Sequence, residues 1–308
     1  MEKKKKEKWS LKEDIQKRWQ LYLMLLLPVT YIIVFCYVPM GGILIAFKDY
    51  SFRKGILGSD WVGLKYFKQF FTNPDMMRLL KNTLIISLYS LAVSFPAPII
   101  LALALHSIGG VKFKKFMQSL TYAPYFISTV VMVGIILQCF HLNIGIVNNL
   151  FELVGLNRVD FMGKASYFRH IYVWSGVWQG TGYAAVIYIA TLGNVDQSLV
   201  EASLIDGANR MQRIKIVELP ALKPIITIQL IMAVGGIMGV GFEKVFLMQN
   251  SLNLPVSEII STYVYKRGLT DMQYSFATAV GLFNSVVNFI LLFFANKFSQ
   301  KFGETSLW

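Results

Sequence analysis

The chain has 308 residues, 55% of them hydrophobic and 15% charged, with a formal net charge of +13. That is too apolar for a water-soluble domain, and the apolar residues fall in long blocks, so the chain reads as an all-α membrane protein with several spans. The positive excess lies in the lysine-rich tail 3–8 and at the edges of the apolar blocks, and no basic helix alternates with stacking aromatics, which sets nucleic-acid binding aside.

A helix crossing the hydrocarbon core needs about 20 apolar residues. Six segments qualify, in chain order 21–47, 79–106, 116–138, 171–192, 225–247 and 274–295. Residues 1–18 form a basic tail. The apolar run after it is too long for a secretory leader and lacks a small-residue cleavage site, so it is expected to remain as a signal anchor. Pro28 and Pro39 interrupt the first span, which is expected to bend or emerge early. The third and fifth spans read as the least ambiguous. With the amino terminus inside, the inner segments carry more Lys and Arg than the outer ones, placing both termini and the 193–223 connection in the cytoplasm. The outer connections 48–78 and 248–271 are long enough to receive a docking protein. Within the second, 256–267 reads equally as a docking helix and as a helix lying on lipid. Cys36 and Cys139 give no disulfide framework, and His106, His141 and His170 lack metal-ligand spacing.

Residues 201–220 read EASLIDGANRMQRIKIVELP, a charged, helix-friendly stretch between two apolar spans. Asp196 and Ser198 are N-cap candidates, Glu201 falls in the first turn, and Gly207 ends the helix. A second helical piece from Asn209 to Leu219 is expected to stop at Pro220. The small residues Ala202, Ser203 and Ala208 let another surface approach the backbone. An ordinary amphipathic loop is the competing reading. No GxxxxGK[ST] phosphate loop occurs, nor HExxH, GxSxG or an intramembrane Asp pair, so the chain is not expected to be an enzyme. Its energy must come from elsewhere, and a cytoplasmic loop shaped to dock on another protein is what a dependent subunit needs.

Glu243 and Lys244 are ionisable residues in the fifth span and require an explanation. Counted from residue 225, they sit about 27 to 29 Å along a continuous helix, near its outer edge. Snorkelling, a mutual ion pair and a cavity-facing role for Glu243 all stand open. On the fourth span Trp174 and Trp178 share a face, as do Gln179 and Tyr183, with Tyr188 further on. An interfacial belt is favoured for Trp174, whereas Trp178, Gln179 and Tyr183 are read either as belt or as lining of a sugar path. Asn284 and Asn288 lie one turn apart on the sixth span and bond either sugar or a neighbouring helix, the latter favoured.

The 201–220 stretch resembles the EAA loop of ABC importer permeases: Glu201 and Ala202 match, Ser203 replaces the third Ala, Gly207 is correctly spaced, Val217 replaces Ile, and Leu219-Pro220 close the pattern. The similarity extends through ILIAFKDY (43–50), WVGLKYF (61–67), KNTLIISLYSL (81–91), FPAPIIL (95–101), GFEKVFLMQN (241–250) and YSFATAVGL (274–282). Almost end to end, the chain resembles the LplB/YteP branch of carbohydrate ABC importer permeases.

The resemblance implies a type I ABC importer permease fold across 19–308, with six transmembrane helices and a cytoplasmic EAA coupling helix in 196–220, in a bacterial cell membrane. It implies ATPase-coupling roles for Glu201, Ala202, Ser203, Asp206, Gly207, Ala208, Leu219 and Pro220. The implied partners are a second homologous permease, two ATPase subunits that bind ATP and Mg, and an extracellular lipid-anchored solute-binding protein. No cofactor is expected on this chain, and the implied cargo is an oligosaccharide. Lys244 departs from the Gln more usual in this branch. An ion-coupled secondary sugar transporter and a permease for a non-sugar solute are the alternatives. The former would show inverted repeats and midplane acidic residues, of which no sign is seen.

Overall fold

The computed structural model describes residues 11–302 and Ser306. Residues 1–10 of the expected basic tail, and the end of the chain apart from Ser306, lie outside the described residues. Helix α1 (Leu11–Ile32) runs into a π turn at Ile33–Tyr37 and a 3-10 stretch at Val38–Phe47. It begins before residue 21, and Pro28 lies inside it; the non-helical residue is Arg18, at φ −124° and ψ 24°. The π turn ends just before Pro39, where Val38 N–H bonds back to Ile33 O. A proline ring crowds the carbonyl four residues earlier and offers no N–H, and a turn wound i→i+5 opens room for it without ending the helix.

A short antiparallel pair follows, β1 (Lys48–Asp49) with β2 (Asp60–Trp61), enclosing α2 (Gly55–Gly58). Asp49 and Asp60 stand opposite each other, and separate cations neutralise them: Lys65 at 3.1 Å from Asp49 and Lys54 at 2.7 Å from Asp60. The Tyr66 hydroxyl, at 2.7 Å, and then Lys65 hold the Asp49 carboxyl below the usual carboxylate range.

Next come α3 (Lys65–Phe71), α4 (Met76–Ser94) and α5 (Pro96–His106), the last two forming one continuous span. The third expected span is not continuous. It is α6 (Val111–Tyr122), a 3-10 turn at Ala123–Phe126 and α7 (Thr129–Cys139), bent by 96°. Pro124 and the N-capping hydroxyl of Ser128, 3.3 Å from Val131 N, divide it into two helices.

Helix α8 (Ile146–Leu153) precedes α9 (Ala165–Gly193), 29 residues long and the hub of the bundle, packed on α4, α5, α6 and α12. Then follow α10 (Gln197–Ile205), α11 (Arg210–Arg213), a π turn at Ile214–Glu218 and α12 (Leu219–Gly235). The fifth expected span, like the third, is broken. After α12 the glycine-rich 236–241 is irregular, and α13 (Phe242–Met248) resumes the helix. The chain ends with α14 (Leu254–Ser257), α15 (Ile260–Tyr265), a π turn at Lys266–Thr270 and α16 (Tyr274–Phe302). Much of 256–267 is no surface helix, since Ile260 and Tyr263 are buried against Phe276 and Val280 of α16.

Among the described residues four helical stretches are long and apolar enough to cross a membrane: Ile15–Phe47, Met76–His106, Arg210–Gly235 and Tyr274–Lys301. The bent pair α6 and α7 makes up to five. Three apolar cores hold the described residues together. One joins α9 to α4, α7 and α13 through Ile86, Val133, Phe168 and Val245; a second joins α16 to α4 and α15; the third joins α9 to α5 and α12 through Ala102, Ala185 and Leu222. A polar knot adds to them: buried Glu258 takes Arg78 at 2.8 Å and Lys266 at 3.3 Å, while Asn82 donates to the carbonyls of Pro255 and Glu258.

Candidate functional site

A cavity of about 760 Å³ opens between α4, α9 and α12. Ser87, Ser90 and Ser94 come round to it along one face of α4, at spacings of three and four residues. Tyr172, Tyr183 and Tyr188 of α9 form another wall, and Gln229 of α12 with Gly236, Gly239 and Gly241 of the break complete it. Small residues set this geometry. A Cβ on Gly182 would collide with the Thr121 carbonyl, so glycine lets α6 lie against the α9 backbone. The Tyr183 ring stacks on Tyr125 at 3.9 Å, which fixes it at the cavity edge. The Ser87 hydroxyl is buried with no partner among the described residues.

Of the expected path residues on α9, only Tyr183 reaches this cavity. Trp178 is 54% exposed, and Gln179 donates to the Ile127 carbonyl at 2.8 Å, tying α9 to the bend between α6 and α7. Trp174 donates to the Tyr89 hydroxyl at 3.0 Å, and that hydroxyl meets His170 Nδ1 at 2.9 Å, so it has protein partners beyond a lipid belt. Asn288 accepts the Met238 N–H at 3.0 Å, and Asn284 approaches the Met238 carbonyl at 3.5 Å; both serve the break after α12.

Glu243 and Lys244 do not pair with each other among the described residues: Glu243 is exposed, and Lys244 Nζ donates to the Tyr172 carbonyl at 2.9 Å. The break also voids a position counted along one continuous helix, because both residues lie in the first turn of α13. The sequence reading passed over Ser87, Ser90, Ser94 and Gln229. The serine spacing in an otherwise apolar helix was the signal available for three of them.

Residues 196–220 fold as two short helices and a π turn that leads into α12; α10 lies outside the apolar stretches, whereas α11 opens the one at Arg210–Gly235. Asp196 caps α10 by accepting from Ser198 N at 2.9 Å, and that donor, with the Ser198 hydroxyl, holds its carboxyl below the usual range. Glu201 therefore falls beyond the first turn, since the helix begins at Gln197 after the Asp196 cap. Gly207, at φ +76°, ends α10: its N–H returns to Leu204 O and the Ala208 N–H to Ser203 O, a Schellman closure that favours glycine. Glu201, Ala202 and Asp206 are exposed while Ser203 is buried, and Ile205 stands 86% exposed.

Asn209 and Gln212 cap α11 reciprocally. Pro220 does not stop the helix. The π turn Ile214–Glu218 ends just before Leu219-Pro220, with Leu219 N–H bonded to Ile214 O, and α12 continues from it as the turn before Pro39 does in the first span. Glu218, unmarked by the sequence reading, is 1% exposed; Arg213 Nε donates to its Oε1 at 3.1 Å, and Oε2 has no partner among the described residues.

Apolar helices around a cavity whose largely apolar wall carries serine, tyrosine and glutamine groups, with the capped α10 outside the apolar stretches, fit a membrane transport component. Residues 94–304 match the binding-protein-dependent transport system inner membrane component family, and the chain belongs to that family. It is 42% identical over 299 residues to Protein LplB of Bacillus subtilis (strain 168), covering 97% of this chain and 93% of that protein. It is also 42% identical over 306 residues to the polygalacturonan/rhamnogalacturonan transport system permease protein YteP of the same organism, covering 99% of this chain and 95% of that one.

Among solved structures it is similar to a chain of a bacterial alginate ABC transporter in complex with an alginate pentasaccharide-bound periplasmic protein. The TM-score is 0.89 at 35% identity, over 96% of this chain and 99% of that one. Family membership makes the chain an inner membrane permease component rather than an enzyme, one that works with a solute-binding protein and ATPase subunits.

Proposed function

We propose that the chain is one of two homologous permeases in an ATP-driven importer of oligosaccharides, supplying half of the path and one ATPase contact. The observation that carries this reading is the cavity of about 760 Å³, lined by tyrosine rings and serine and glutamine side chains. Sugars present hydroxyls and apolar ring faces together, and this wall offers hydrogen-bonding groups and aromatic platforms together. The names of YteP and of the alginate transporter support a glycan cargo.

Six spans follow if the bent pair counts as one and α9 is added. At 29 residues α9 is about 43 Å long, enough to cross, and it packs on α4, α5, α6 and α12, with Gly182 against Thr121 and Gly176 beside Lys244. The loop with α10 is the cytoplasmic coupling element, both termini are inside, and α10 docks on an ATPase through Glu201, Ala202 and Asp206. Ser203, Gly207 and Ala208 set its shape, and Leu219-Pro220 join it to α12. Two ATPase subunits hold ATP and Mg, and a lipid-anchored binding protein delivers cargo outside. When the ATPases close, α10 moves as a capped rigid piece and α12 carries that motion to the cavity wall.

Co-purification with the second permease and the ATPases tests this. Gly207→Val, which forces a β-branched residue into a left-handed conformation, with Glu201→Ala should release the ATPases and abolish cargo-stimulated ATP hydrolysis. A chain that moves sugar on an ion gradient without any ATPase would overturn the reading.

A further inference from the structure

None of the residues lining the cavity is charged, yet a cation stands directly behind its wall. Lys244 extends from α13 to α9, where its Nζ lies 2.9 Å from the Tyr172 carbonyl and 4.9 Å from the centre of the Tyr172 ring. Tyr172 lines the cavity, as does Gly241, one helical turn before Lys244. Gly176, the next turn of α9, completes the niche: a Cβ there would stand 3.3 Å from Nζ, so glycine leaves room for the ammonium and whatever it meets.

An ammonium has three donors. One is directed to the Tyr172 carbonyl, and among the described residues no carboxylate lies within ion-pair distance of Nζ. The neighbouring Glu243 is exposed and takes no part. The Tyr172 carbonyl and ring accommodate the ammonium while leaving donors unused, so a part-buried cation with no carboxylate beside it retains capacity for an anionic ligand.

We propose that Lys244 selects acidic glycans, its ammonium taking the carboxylate of a uronate unit as the chain passes Tyr172. This rests on the oligosaccharide-importer reading and narrows its substrate class. The pairing is ammonium to carboxylate, a charge-assisted hydrogen bond of point-charge geometry. Such a contact strengthens entry without the two-pronged hold of an arginine fork, which suits a site that must also release its cargo. The Tyr172 ring beneath the ammonium holds the cation at the wall.

The test uses the complete complex in proteoliposomes, with the partner permease, the ATPases and the binding protein. Uptake of a galacturonate trisaccharide is compared with uptake of its fully methyl-esterified, neutral form. Lys244→Gln keeps a donor for the Tyr172 carbonyl and removes the charge. It should cut uptake of the acidic form about tenfold or more, the loss expected for one charge-assisted hydrogen bond, and change the neutral form less than about twofold. Lys244→Arg should retain the preference for acid. Equal effects of Lys244→Gln on both forms, or no effect on either, overturn selection by Lys244 while leaving the importer intact. A wild-type complex that moves neither form overturns this inference, while the importer reading stands or falls on co-purification with the ATPases.

Discussion

Glu218 shows how one side chain can matter without touching cargo. Its carboxylate is nearly out of solvent, with Arg213 as its ion partner across the π turn. Removing the cation from such a pair leaves a stranded charge, which costs more than removing both charges. Arg213→Ala should therefore destabilise the chain by about 3 kcal/mol, the low end for a buried pair because the Arg213 side chain keeps 22% of its exposure. Glu218→Gln should cost less, and the Arg213→Ala, Glu218→Gln double variant should recover part of the loss. Thermal unfolding in detergent reads all three, and additive losses would show that the pair is not coupled. At Gly207 the backbone dictates the residue, since φ +76° is reached readily without a side chain.

At the scale of elements, the broken fifth span is stable because its loose backbone groups have partners. The irregular stretch after α12 leaves backbone amides outside a helical ladder, and Asn288 of α16 takes the Met238 N–H. Asn288→Leu keeps the volume and removes the acceptor, so it should cost about 1 to 3 kcal/mol through one orphaned donor. Hydrogen exchange at Met238 should accelerate in that variant; unchanged exchange would mean that the break is held by packing alone. The two proline-associated π turns follow the same logic from the opposite side. At Pro39 and Pro220 the missing N–H is accommodated by rewinding the preceding turn, so the helix continues where a stop was expected.

For the whole molecule, the cavity and the capped loop occupy different places. It lies among α4, α9 and α12, whereas α10 and its exposed Ile205 lie on the loop beyond the spans. Ser90→Phe should fill part of the cavity and abolish glycan uptake while leaving the amount of ATPase that co-purifies unchanged. Loss of both together would mean that α4 supports the assembly rather than the path. The first span, with none of its apolar window buried, leaves a long apolar surface open among the described residues.

The composition, the approximate apolar blocks and the motif at 201–220 were legible in the chain, because hydropathy and local capping act over a few neighbouring residues. Asp196 as N-cap and Gly207 as terminator belong to that class. The motif stretches likewise carried the family, which the comparisons then established. What the sequence could not supply was which face of each helix turns inward and where irregular backbone is tolerated. Trp178 and Gln179 share the α9 sequence with Tyr183, yet only Tyr183 reaches the cavity. The breaks in the third and fifth spans, and the Tyr172 partner of Lys244, were equally hidden. An apolar run determines that a segment enters the membrane, but only helices packed against it decide its rotation, its bends and the partners of its polar atoms, since those depend on groups far away in sequence.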